Sequence, residues 1–218
     1  MYYLVSALRF LLDLLLPRDA LLHQLEEMSA EEFLAKVPQS RKLHGIESLF
    51  QYRHPLMRRA VWEIKYRNNR VILELVTEAA TQILLERLSL KSLYQEVVFV
   101  PVPLSAKRLK ERGYNQAEEI AKALVRKLSL QNISAEVDIS IVKKVRHTAP
   151  QAETHSRKDR LNNLKKAFQL TSSVREKISG KHIILLDDVS TTGSTLLEVA
   201  KEISAHDPQN LYLCALAH

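Results

Sequence analysis

One cysteine in 218 residues, Cys214, has no second cysteine to pair with. An intrachain disulfide framework is excluded, and so is a zinc site built on several cysteines. Cys214 lies inside an apolar run and reads as a small core residue. Glycine is scarce, with four residues, and neither G-x-x-x-x-G-K-[ST] nor G-x-G-x-x-G occurs. The P-loop and dinucleotide fingerprints are therefore absent. Aromatics make up 6% of the chain. Tyr114 alone falls within the two basic segments described below, with Phe168 just beyond the second, which is little for stacking on a nucleic-acid strand. A long unbroken apolar run is missing too. "MYYLVSALRFLLDLLLP" lacks a basic n-region, is interrupted by Arg9 and Asp13, and reaches Pro17 too soon to span a bilayer. Arg9 and Asp13 share a helical face, so this stretch reads as a helix packed on the body or on a second subunit, which leaves a homodimer open. No membrane insertion and a cytoplasmic location are the expectations.

Positive charge is present and unevenly placed. Of the net +7, residues 101–116 carry +3 through Lys107, Arg108, Lys110 and Arg112 against Glu111. Residues 143–166 carry +6, leaving −2 for the rest. Such clustering points to a polyanion, either a phosphorylated small molecule or a nucleic acid. A solvated basic face would look the same by charge alone.

Helical patterns alternate with short apolar runs, which favours an α/β fold. Residues 1–50 read as a helical N-terminal segment, with helices over 2–16 and 19–36 and a linker at Pro38–Gly45. Helical spacing recurs at 54–67 and 71–88. "VVFVPVP" (97–103) reads as a strand and "SAKRLKERGYN" as a polar loop. Asn115 caps a helix over 116–128, with Glu118 placed for a capping box. Further strands are expected at 139–145, 182–188 and 210–218, and a helix at 195–206. The order suggests a doubly wound, mainly parallel sheet with helices on both faces, which binds ligands beyond the carboxyl ends of its strands.

The most informative stretch is "HIILLDDVSTTGST", His182–Thr195. A fully apolar strand ends in Asp187 and Asp188. The turn Ser190, Thr191, Thr192, Gly193, Ser194, Thr195 leads directly into a helix. Backbone N–H groups of such a turn, together with the helix N-terminus, form an anion cradle. Gly193 lets the backbone approach the anion. Two acids beside that cradle would repel a bare phosphate. They suit a ligand that also offers hydroxyls or brings a divalent metal. A sugar 5-phosphate meets both demands. Acid pairs at strand ends also serve as caps, and "TTGST" alone is common. The whole arrangement is far more restrictive.

Ile183–Thr195 resembles the phosphoribosyl-pyrophosphate (PRPP) signature of type I phosphoribosyltransferases. With "VPVPLSAKRLKERGYNQAEEIAKAL" and "RHTAPQAETHSRKDRLNNLKKAF", it resembles the ComF-type family across about residues 52–218, with "IKYR" as a fainter match. The resemblance implies a phosphoribosyltransferase-like domain over 51–218. Asp187 and Asp188 would face the ribose hydroxyls as catalytic residues, and Ser190–Thr195 would hold the 5-phosphate. Lys107, Arg108, Arg112, Gly113, Tyr114, Asn115 and Gln116 would lie near the pyrophosphate. Segment 146–163, with Arg146, Thr148, Gln151, Arg160 and Asn163, would be a flexible loop that closes over the site. Mg²⁺ would accompany PRPP, with Asp187 and Asp188 as its nearest carboxylates. Many ComF-type relatives carry a cysteine-rich zinc module near the N-terminus. Here that region reads "PRDALLHQLEEMSAEEFLAKVP", without cysteine.

The implied activity is transfer of phosphoribosyl from PRPP to a nitrogen acceptor with release of pyrophosphate. The acceptor is not legible in any motif. Two alternatives stand beside it: a protein that senses PRPP without turnover, and a ComF-type module that binds single-stranded DNA or a DNA-uptake protein.

Overall fold

The computed structural model describes residues 20–42, 44–88, 97–145 and 167–218. The helix expected over 2–16 and the closing loop 146–163, with Arg146, Thr148, Gln151, Arg160 and Asn163, lie outside the described residues. Helices α1 (Ala20–Glu27) and α2 (Ala30–Lys36) come first. The sequence reads as one helix here, but Ser29 divides it. The Ser29 hydroxyl accepts from the Glu32 N–H, and the Glu32 carboxylate accepts from the Ser29 N–H. Ile46–Phe50 follows as strand β1, a correction to the helical and irregular reading of the first fifty residues. Then come α3 (Pro55–Trp62), a π-helical turn (Glu63–Arg67), α4 (Arg70–Arg87) and β2 (Val97–Pro101). Helix α5 (Ala106–Arg112) replaces the expected polar loop. It buries none of its residues, so apolar periodicity could not reveal it. Its signals are its caps: Ser105 accepts from the Arg108 N–H, and Gly113 closes it in the left-handed region at φ 84°.

The chain continues through α6 (Gln116–Leu130), β3 (Ala135–Val137), β4 (Val142–Lys144), β5 (Phe168–Leu170), α7 (Val174–Ile178), β6 (His182–Val189), α8 (Ser194–Ser204) and β7 (Asn210–Ala217). Asn115 caps α6 as expected, accepting from the Ala117 N–H. Glu118 does not complete a capping box; it pairs with Lys122 at 2.6 Å.

The main sheet has order β1-β7-β6-β2-β3, and all its pairings are parallel. The strand read at 139–145 is not part of it. Its core, β4, pairs antiparallel with β5 in a separate ribbon, and β3 takes the sheet edge instead. Alternation along the strands builds two cores. Val97, Phe99, Ile184, Leu186, Cys214 and Leu216 face α1–α4 and α6. Val98, Val100, Ile183, Leu185 and Ala215 face α7, α8 and the ribbon. Phe33 of α2 packs edge-on against Phe50 of β1, with centroids 5.3 Å apart, so the described N-terminal helices share the first core. Cys214 is fully buried, and burial pushes its thiol up to about 12, as suits an inert core residue. Among the described residues, no helix is long and apolar enough to cross a membrane.

Candidate functional site

Strand β6 connects onward toward β7 on one side, and its neighbour β2 connects toward β3 on the other. The carboxyl ends of β2 and β6 therefore flank a switch point, where open parallel sheets form a crevice. Register places Pro101 opposite Leu186, and Val102 N–H donates to Leu186 O at 2.8 Å. Asp187 and Asp188 thus stand just beyond the last paired rung of the crevice.

The turn after them is tied down at both ends. Ser190 N–H donates to Ala217 O at 2.9 Å, and the Thr192 and Ser194 hydroxyls lie 2.9 Å apart. Ser190 and Ser194 are buried, Thr191 is exposed, and Thr192 and Thr195 are half-buried. Gly193 is the N-cap of α8 and makes no side-chain cap, so the helix N-terminus opens into the turn with its positive dipole end. Its φ is 73°, and a Cβ there would come within 2.3 Å of Ile46 Cδ1. Gly193→Ala is expected to cost about 1–2 kcal/mol for the left-handed backbone, a melting drop of roughly 2–8 °C. It should also weaken binding of inorganic phosphate. Thermal melts and phosphate calorimetry check both.

The two acids are adjacent at the strand end, and the Asp188 N–H donates to Asp187 Oδ1 at 2.9 Å. Lys65 Nζ, from the π-helical turn, lies 3.3 Å from Asp188 Oδ2, a buried oxygen that accepts no hydrogen bond. Lys144 of the ribbon, its Nζ 5.2 Å from the centre of the Phe168 ring, feels the charges of Asp187 and Arg108. Burial pushes the Lys144 ammonium below its ordinary value, Arg108 pushes the same way, and Asp187 opposes them. Asp187 is itself held well above the usual carboxylate range. Burial is the main cause and the neighbouring Asp188 adds to it, while the Asp188 N–H and Lys65 pull back. A pair of acids with two half-buried lysines in their electrostatic reach offers acceptors for hydroxyls and donors for anionic oxygens.

Arg108 and Lys144, one from each basic segment, repel each other electrostatically. Val145 N–H donates to Ala167 O at 2.8 Å, so the chain enters and leaves segment 146–166 through one ribbon. Other residues that the resemblance assigns to the pyrophosphate are occupied differently. Lys107 leans toward Glu111 at 4.0 Å. Arg112 stacks over the Tyr66 ring at 5.4 Å. Gly113 ends α5, and Asn115 is buried, its amide donating to Val102 O at 3.0 Å. Tyr114 and Gln116 bond to the π-helical turn. Sequence reading missed Lys65 and Lys144. "IKYR" carried the signal for Lys65, but helical periodicity gives no reason for a lysine there to meet Asp188. A groove of about 490 Å³ between α4 and α6, lined by Glu78, Gln82, Lys127 and Leu130, opens at the amino edge of the sheet, away from these acids.

Among the described residues no three His, Cys, Asp or Glu gather to hold a metal. Mg²⁺ is nevertheless compatible with the pair. It commonly binds through one or two carboxylates plus ligand phosphates and waters, and Asp188 Oδ2 has lone pairs not engaged in hydrogen bonds.

A family model described as the phosphoribosyl transferase domain matches residues 66–218. Competence protein F of Haemophilus influenzae is 41% identical over 118 residues, covering 54% of this chain and 48% of that protein. DNA utilization protein YhgH of Escherichia coli is 39% identical over 102 residues, 47% of this chain and 40% of that protein. The match thus spans less than half the length of either relative. Among solved structures, a hypoxanthine-guanine phosphoribosyltransferase from Bacillus anthracis aligns with TM-score 0.39 and 17% identity, over 65% of this chain and 66% of that one.

Proposed function

From the membership of this chain in the phosphoribosyl transferase domain family, in its ComF-type branch, we propose that it binds PRPP with Mg²⁺ and transfers phosphoribosyl to a nitrogen acceptor, releasing pyrophosphate. The observation that carries this reading is the joining of a glycine-led helix N-terminus to a half-buried acid pair at the β2/β6 switch point. The turn Ser190–Thr195 holds the 5-phosphate through backbone N–H groups and hydroxyls. Asp187 and Asp188 accept from the ribose 2- and 3-hydroxyls and so fix the ring. Arg108 and Lys144 face the pyrophosphate and take up the negative charge that grows as it departs. When bound, Mg²⁺ would supply further neutralisation of that charge, with Asp187 and Asp188 the residues to hold it. Segment 146–166 follows the ribbon that carries Lys144, a suitable place for a cover that keeps water from the cation-like anomeric carbon.

A second reading rests on the names of the relatives, competence protein F and DNA utilization protein YhgH. It has the chain either bind PRPP without turnover or bind single-stranded DNA or a DNA-uptake protein. Incubation with PRPP, Mg²⁺ and a panel of bases and amines separates the two. Acceptor-dependent pyrophosphate release supports the enzyme. Saturable PRPP binding without release supports the second reading.

A further inference from the structure

The π-helical turn Glu63–Arg67 is an uncommon element, and such turns recur at functional sites. This one is braced from several sides. Asn68 ends it in the left-handed region at φ 50°. The Tyr114 hydroxyl donates to Ile64 O at 2.8 Å and accepts from the Asn68 N–H at 3.1 Å. The Gln116 amide, 1% exposed, donates to Lys65 O at 3.2 Å. Glu63, fully buried, receives Arg59 at 2.7 Å and the Asn69 amide at 3.3 Å. Arg59 and Arg67 stand over the Trp62 ring at 5.1 and 5.0 Å. From this braced turn the Lys65 side chain reaches Asp188, on a strand far away in sequence.

Tyr114 and Gln116 belong to the stretch that the family resemblance places near the pyrophosphate, yet their polar atoms hold backbone. We propose that they are positioning residues for Lys65, and that Lys65 is the cation that changes partner when the ligand binds. Before binding, its ammonium offsets the buried Asp188 carboxylate. When ribose hydroxyls take over Asp188, an ammonium 3.3 Å away is left in a half-buried place and turns to the ligand's nearest phosphate oxygen. The inference rests on the PRPP reading above and assigns to it a ligand-contacting residue and its support.

A double-mutant cycle tests it, with PRPP·Mg²⁺ and inorganic pyrophosphate as separate probes in calorimetry and a melting curve for each variant. The wild-type titration comes first. No binding of PRPP would sink both the reading and this inference. If the wild type binds, Lys65→Ala should lose about 10- to 100-fold in PRPP affinity, the loss of one charge-assisted contact. Tyr114→Phe should lose about 3- to 10-fold, as its lost hydroxyl loosens the turn. In the Lys65→Ala background, Tyr114→Phe should then change nothing further. Lys65→Arg should recover part of the loss, and pyrophosphate should follow PRPP. Full additivity of Lys65→Ala and Tyr114→Phe would overturn the positioning role. So would a Tyr114→Phe protein that melts lower but binds PRPP as the wild type does. Unchanged pyrophosphate affinity in Lys65→Ala would overturn the change of partner.

Discussion

Asp187→Asn with Asp188→Asn is expected to weaken PRPP binding and to leave inorganic phosphate binding level or stronger. Each lost charge-assisted hydrogen bond to a ribose hydroxyl should cost about 1.5–3 kcal/mol, roughly 10- to 100-fold in affinity. The acids are adjacent and influence one another, so the losses need not add. Phosphate uses the Ser190–Thr195 cradle alone and escapes two nearby negative charges. The ligand-free double variant should melt close to the wild type, because relief at Asp187 offsets the loss of the Lys65–Asp188 pair. Burial holds the Asp187 carboxyl above its ordinary range, and a group raised in the folded state contributes stability at low pH that is lost as pH rises through the folded value. Asparagine removes that loss at neutral pH. By the same sign, PRPP affinity should rise with pH as Asp187 gives up its proton to accept from the ligand. Calorimetry with both ligands, after a melting curve, checks all of this. If the acids merely cap structure, the variant melts lower and loses both ligands in parallel.

Glu63→Ala should be strongly destabilising. Glu63 is fully buried, with Arg59 at 2.7 Å and Asn69 at 3.3 Å. Removing one member of a buried ion pair strands the other, typically at about 3–5 kcal/mol. In a domain of this size that is a melting drop on the order of 10 °C. Because Glu63 opens the turn that carries Lys65, PRPP affinity should fall as well, even at temperatures where the variant remains folded. Glu63→Gln keeps the shape and one acceptor and should lose less on both counts. Differential scanning calorimetry ranks the three proteins. A Glu63→Ala protein as stable as the wild type would show that Arg59 and Asn69 find other partners at no cost.

The features legible in the sequence were those with a local cause. The apolar run Ile183–Leu186, bounded by the acids, read as a central strand. Asn115 stood where a cap belongs, and the hydroxyl-rich turn around Gly193 announced a helix N-terminus. Elements with weak local signals were lost. Helix α5 buries nothing, β3 has three residues, and β1 follows a stretch of helical character. Ser29-x-x-Glu32 was a readable capping box that the apolar pattern around it obscured. The partners of the acids were illegible for a different reason. Lys65 and Lys144 belong to elements remote in sequence from Asp187 and Asp188, and only the fold brings their charges to bear on the acids. Pairing of that kind is decided by topology, which local periodicity does not contain.

Amide hydrogen exchange with and without saturating PRPP·Mg²⁺ bears most directly on the central claim, that the β6–α8 junction is the PRPP site. The expected result is ligand-induced protection concentrated in peptides covering Asp187–Leu196, with a second protected region over Glu63–Asn68. Inorganic phosphate should protect the Ser190–Leu196 part alone. Saturable PRPP binding that protects peptides elsewhere and leaves Asp187–Leu196 unchanged would contradict the account.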